Sequence, residues 1–146
     1  MTTDTWVFVL VAAVVLGIIL FAVPFKEHRG GPAIVSALEE QASVEGRVKV
    51  SVRPKGIAPS ILPWEFQVIL DTHSYELSED IAQVAGLLTD RGDRYTPRAW
   101  KGDLPGGHHR EGVLQFDPIA PYPKSITLIV REVGGIPERA FTWDLK

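Results

Sequence analysis

The sequence predicts an all-β domain, two sheets packed face to face, carried behind one N-terminal transmembrane helix. Three observations predict it. Residues 6–25 hold no charged side chain; from Val44 onward apolar residues recur with a period of two in short runs; and Gly, Pro, Asp and Ser clusters separate those runs. The first is the mark of a bilayer span, and the other two are the pattern of half-buried strands joined by turns. A chain of 146 residues holds one ordinary domain and an anchor.

The apolar run opens at Trp6 and closes at Phe25, twenty residues in all. At about 1.5 Å per residue it covers about 30 Å, the hydrocarbon thickness of a bilayer. Trp6 and Phe25 suit the interfacial aromatic belt, and Pro24 ends the helix in its last turn. A cleaved signal peptide would need a basic start, a shorter apolar core and a small-x-small cleavage site. The first five residues contain neither Lys nor Arg, and Phe21-Ala-Val-Pro-Phe25 is a poor cleavage site. Residues 1–25 are therefore expected to be an uncleaved, single-pass anchor in contact with the lipid bilayer. Lys26 and Arg29 come directly after the run, and the positive-inside rule alone places the C-terminal domain in the cytoplasm. That bias is weak, because a long folded domain translocates largely regardless of flanking charge.

Residues 26–43 read as a linker. Lys26-Glu-His-Arg-Gly-Gly31 is a charged connector, and a short helix over residues 32–41 then has Pro32 at its first position and Ile34, Val35 and Leu38 on one face. The β-domain is expected over residues 44–146. Its first strand spans residues 44–53, where Val44, Val48, Val50 and Val52 alternate with polar neighbours. A second spans 64–70 and leads into Asp71-Thr-His-Ser74, a side-chain-capped turn. Ser78 is the expected cap of a helical turn reaching Ile81. A third strand over 84–89 meets a fourth over 94–100 across Asp90-Arg-Gly-Asp93, whose Arg-Gly-Asp is read as hairpin chemistry and not as an adhesion signal. The fifth covers 112–117, the rigid Pro118-Ile-Ala-Pro-Tyr-Pro123 comes next, and the sixth covers 124–131 with Ile126, Leu128 and Val130 on one face. After Gly134-Gly-Ile-Pro-Glu138 the seventh closes the domain over 140–145. Trp64, Trp100 and Trp143 are expected in the core. Seven short strands in about 100 residues fit an immunoglobulin-like β-sandwich.

Composition narrows the chemistry. There is no cysteine, so disulfides, thiolate nucleophiles and Cys-based metal clusters are excluded. From Lys26 onward 15 basic residues face 17 acidic ones, which gives no electrostatic reason for a nucleic-acid partner. No Walker loop or dinucleotide fingerprint is present. Asp71, His73 and Ser74 are the residue types of a hydrolytic triad, but a triad is assembled across a fold and not from four consecutive positions. No catalytic residue is expected, and the chain reads as a non-enzyme. His73, His108 and His109 are the candidates for a metal site, since imidazole binds copper or zinc and Asp71 or Asp117 would add oxygens. Hydrogen bonding of the same histidines to loop backbone is the structural alternative.

Three stretches carry a resemblance: Asp71-Thr-His-Ser74, Gly106-Gly-His-His-Arg-Glu-Gly112 and Gly134-Gly-Ile-Pro-Glu-Arg-Ala-Phe-Thr-Trp143. Together they resemble an uncharacterised group of prokaryotic exported or membrane-anchored immunoglobulin-like β-domains, over residues 44–145. The resemblance implies an extracytoplasmic sandwich and names no activity. The expected function is that of a membrane-tethered, non-enzymatic accessory or interaction subunit, with a membrane protein as partner and no cofactor. The alternative is an extracytoplasmic copper or zinc protein. In either case the loops 71–74 and 106–112 are expected to meet at one end of the sandwich, where Asp71, His73, His109 and Arg110 form one network.

Overall fold

Two antiparallel sheets face one another across an apolar core, in a computed structural model that describes residues 38–145. The first sheet has the order β1 (Gln41–Ser43), β2 (Val48–Gly56), β3 (Trp64–Thr72), β7 (His109–Phe116), β6 (Ala99–Gly102). The second has the order β5 (Arg94–Tyr95), β4 (Ala85–Thr89), β8 (Ser125–Arg131), β9 (Glu138–Asp144). One helical turn, α1 (Ile81–Val84), precedes β4. The anchor expected over residues 6–25, and the start of the linker helix, lie outside the described residues. Among the described residues no helix is long and apolar enough to cross a membrane.

Alternation in the sequence becomes burial in the fold. Along β3, Trp64, Phe66, Val68 and Leu70 are fully buried, while Glu65, Gln67 and Ile69 turn to the outer face. Ile126, Leu128 and Val130 of β8 meet them from the other sheet. The aromatic centre is tight: Phe66 packs edge-on to Phe116 at 5.7 Å and tilted against Trp143 at 5.8 Å. Such geometry adds to the area these rings remove from water. Trp64 and Trp143 are buried as expected, whereas Trp100 is half-buried at the edge, on β6.

The strands number nine among the described residues, against the seven expected. The fourth expected strand is two: Arg94–Tyr95 pairs with β4, and Ala99–Gly102 crosses to the other sheet and pairs with β7. Pro97 lies in the crossing, where its missing N–H breaks the ladder. The first expected strand starts late, at Val48, because Gly46 at φ +66° turns the chain and leaves Val44 exposed. The cap of the helical turn is Asp80, whose carboxylate accepts from the Ala82 N–H at 3.0 Å, and not Ser78.

The end of the expected linker helix is also replaced. Leu38–Glu40 is not helical, and Gln41 begins β1. The Trp143 indole donates to the Glu39 carbonyl at 2.7 Å, and the Gln41 carboxamide both accepts from Thr142 N–H and donates to Thr142 O. A two-turn helix has too little intrinsic stability to compete with those tertiary bonds. Residues 38–43 thus cross from one sheet to the edge of the other.

The sandwich has two ends of different character. At one, the proline end, are the loops around Pro59, Pro63, Pro118 and Pro121, with cis peptide bonds at Leu62–Pro63 and Ala120–Pro121. At the other, the histidine end, β3 finishes and β7 begins. Because β1 runs antiparallel to β2, with Gln41 opposite Val52 and Ser43 opposite Val50, the chain reaches β1 from the proline end.

Candidate functional site at the histidine end

The loops 71–74 and 106–112 meet, through backbone first. β3 and β7 are antiparallel neighbours with Asp71 directly opposite His109, and the Thr72 N–H donates to His108 O at 2.9 Å, extending the ladder by one bond. The turn after β3 is capped by Thr72 and not by Asp71: its hydroxyl oxygen accepts from the N–H groups of Ser74 and Tyr75 and donates to Arg47 O at 2.7 Å. That leaves the Asp71 carboxylate free for its cross-strand neighbour. His109 Nδ1 and Asp71 Oδ1 lie 2.5 Å apart on the outer face.

Strand alternation then divides the expected network of four. His109 is a strand residue, not a loop residue, so Arg110 beside it points to the opposite face and is 1 % exposed. Its guanidinium donates to Leu77 O at 3.1 Å, Glu79 O at 2.7 Å and Asp103 O at 3.2 Å, and it lies over the Trp100 ring at 5.8 Å. Burial pushes its pKa below the usual guanidinium value, with the Glu79 carboxylate opposing. His73 and His108 are exposed, and among the described residues neither side chain makes a hydrogen bond or ion pair. Asp71 and His109 are brought together; His73 and Arg110 stand apart from them.

The hydrogen bond from His109 to Asp71 raises the imidazole pKa above its ordinary value, against a smaller opposing effect of burial. A raised folded pKa fixes the sign of the pH dependence. The pair contributes fully below the unfolded histidine pKa of about 6.5 and its contribution is lost as pH rises through the raised folded value. With the imidazole 59 % exposed, water screens the pair and the effect stays below about 1 kcal/mol. The stability difference between the wild type and His109→Gln is therefore expected to be larger at about pH 5.5 than at about pH 8.5, and to shrink in an Asp71→Asn background, where only the weaker pull of Glu111 and Asp103 is left. Urea titrations showing the same difference at both pH values would refute the pairing.

Several residues of this end carry no signal in the sequence. Glu79 accepts from the Tyr75 hydroxyl at 2.5 Å, which together with burial raises the Tyr75 pKa, and Arg47 lies over the Tyr75 ring at 5.2 Å. Glycine did offer one clue: a Cβ at Gly112 would lie 2.5 Å from the Trp100 ring, so the indole occupies the space a side chain would fill. On the outer face of the second sheet, Leu88, Ile129, Arg94 and Arg131 line a groove of about 190 Å³, below the usual size of a pocket that encloses a small molecule.

Among the described residues no three His, Asp or Glu side chains converge in a way that would hold a metal ion. Chemically, the end presents one oriented imidazole and a rigid buried guanidinium. No family model, curated protein or solved structure matches the chain.

Proposed function

We propose that the chain is a membrane-tethered, immunoglobulin-like sandwich that serves as a non-enzymatic interaction subunit of a membrane assembly, with its β-domain on the extracytoplasmic side. One observation carries the reading. Residues 38–43, the described end of the expected linker, are built into both sheets: Gln41 bonds Thr142 of β9, Trp143 bonds Glu39, and Arg139 donates to Ser43 Oγ at 3.2 Å. A linker whose described end is ordered against the sandwich suits a tethered domain that presents a fixed surface to a partner.

The strand order supports the immunoglobulin-like part. Without β1, the sheets run β2-β3-β7-β6 and β5-β4-β8-β9, which corresponds to the A-B-E-D and C′-C-F-G arrangement of that sandwich. The test is cross-linking in native membranes followed by extraction in mild detergent. A discrete higher-mass species containing the chain is expected, and a purely monomeric chain would remove the reading.

A copper or zinc role has one observation in its favour. A carboxylate bonded to Nδ1 is the arrangement that orients a metal-binding histidine through its other nitrogen, here Nε2 of His109. One such ligand falls short of the three or four that zinc takes. Calorimetric titration with Zn²⁺ and Cu²⁺ that gave saturable binding lost in His109→Ala would revive it.

A further inference from the structure

We propose that the outer face of the second sheet binds the same face of a second copy of this chain, with Arg94 of each copy paired to Asp144 of the other. The proposal rests on the interaction reading above, for which it names one partner.

This face has an apolar centre and a charged rim. Its centre is low: Gly86, Leu88, Ile129 and Ala140 form it together with Thr127 and Thr142, whose hydroxyls bond one another at 2.8 Å. Charge stands at the borders, Arg94 on β5 and Glu138 and Asp144 on β9, in the core-and-rim pattern of contact surfaces. Arg131, at the end of β8, is matched by Glu138 at 3.2 Å. Among the described residues the Arg94 and Asp144 side chains make no hydrogen bond or ion pair. The outer face of the first sheet differs in kind, because its carboxylates are satisfied within the sheet: Glu65 by Gln115 at 2.6 Å, Glu111 by Gln67 at 2.5 Å and Asp71 by His109. The most exposed apolar side chains, Val44, Leu62 and Leu104, lie on three separate loops and make no common face.

Register fixes how two such faces meet. Arg94, Leu88, Thr127 and Thr142 form one row across the four strands, and Asp144 lies two residues beyond Thr142. A twofold axis parallel to the strands, midway between β4 and β8, sets β5 of one copy against β9 of the other. Arg94 then stands over Thr142 of the second copy and about 7 Å along the strand from its Asp144, an offset that a long side chain spans. The same operation repeats the pair on the other side, as an isologous contact requires. A twofold across the strands would set β5 over β5 and β9 over β9, bringing like charges together. Charge therefore selects the first arrangement, in which the two sheets pack aligned. Gly86 leaves a groove of about 190 Å³ beside Arg94, room for a side chain arriving from the opposite sheet.

Size sets the strength. Four strands of about five residues cover roughly 15 by 17 Å, a few hundred Å² per copy against about 800 Å² for a standard interface. The association is accordingly weak and transient, and it is read by trapping and not by sizing.

The chain has no cysteine, so one introduced thiol reports the contact. Leu88→Cys places it beside the axis, and Val113→Cys, also half-buried but on the outer face of the first sheet, is the control. Full chains carrying either one are treated in native membranes with a bifunctional thiol reagent that spans the ~10 Å between packed sheets. A linked species of twice the chain mass is expected at position 88, in clear excess over position 113. Arg94→Glu or Asp144→Lys, added singly to Leu88→Cys, is expected to lower its yield about fivefold, and the two together to restore it. Equal or greater yield at position 113 would make the species a chance encounter and overturn the proposal. So would a yield at 88 that neither reversal changes, or that the paired reversal fails to restore. A linked species at 88 that contains a different protein defeats this proposal and leaves the interaction reading standing. No linked species at either position, from a chain that also stays monomeric on mild extraction, defeats both.

Discussion

Replacing Arg139 by alanine is expected to cost about 3 kcal/mol of stability, the order expected when one charged donor gives up several buried hydrogen bonds. Arg139 is 3 % exposed and donates to Val133 O at 2.6 Å, Glu45 O at 2.8 Å, Val48 O at 3.2 Å and Ser43 Oγ. It therefore fastens the start of β2 and the tail of β1 to the turn between β8 and β9. Burial lowers its pKa, but a guanidinium stays charged in any folded protein. Alanine would strip the Val48 carbonyl of this donor and leave Val133 O with the Ile136 N–H alone, and a buried acceptor left short of a donor costs about 1–3 kcal/mol before relaxation. Arg139→Lys keeps the charge without the planar fork and is expected to recover less than half of the loss. Urea unfolding decides it, and a loss under about 1 kcal/mol for alanine would show that water replaces the guanidinium without penalty.

Arg110→Ala is expected to cost a similar amount, about 3 kcal/mol, with a more local consequence. The guanidinium holds the segment Leu77–Glu79 and the turn at Asp103, and the first of these also bonds the 106–107 turn through Leu77 N–H to Gly107 O at 3.0 Å and Gly106 N–H to Leu77 O at 2.7 Å. Removing the hub frees both. Hydrogen exchange at the Leu77 and Gly106 amides should accelerate far more than exchange at the centre of β8, since local opening is cheaper than global unfolding. Equal acceleration everywhere would mean that Arg110 supports the whole fold and not this end. Its Nε, and Glu79 Oε2, are buried without a partner, so the hub is not fully satisfied even in the intact protein.

The parts of the fold legible in the sequence are those fixed by local period. β3 comes directly from alternation, because it buries one face only, and β8 nearly so, with Ile129 the one buried residue of its outer face. What local period cannot carry is the choice of partner. Arg94 and Ala99 stand five positions apart and belong to different sheets, and only the ladder to β4 or β7 separates them. Gln41 reads as a helix former until the edge of β9 is beside it. The meeting of Asp71 with His109 was legible, since antiparallel neighbours bring the end of one strand to the start of the next. The division of His109 from Arg110 was not, because it depends on β7 starting three residues before Gly112, and a strand's outer end is set by pairing and not by propensity.

The bonds between Gln41 and Thr142 have a consequence for association between chains. β9 is a seven-residue strand at the border of its sheet, and such a border is a template on which another copy can add a strand. A carboxamide carries the same donor and acceptor as a peptide group, so Gln41 offers Thr142 what a neighbouring strand would offer. One side chain thereby occupies the border near its middle, and ordered stacking of chains along β9 would first have to displace it.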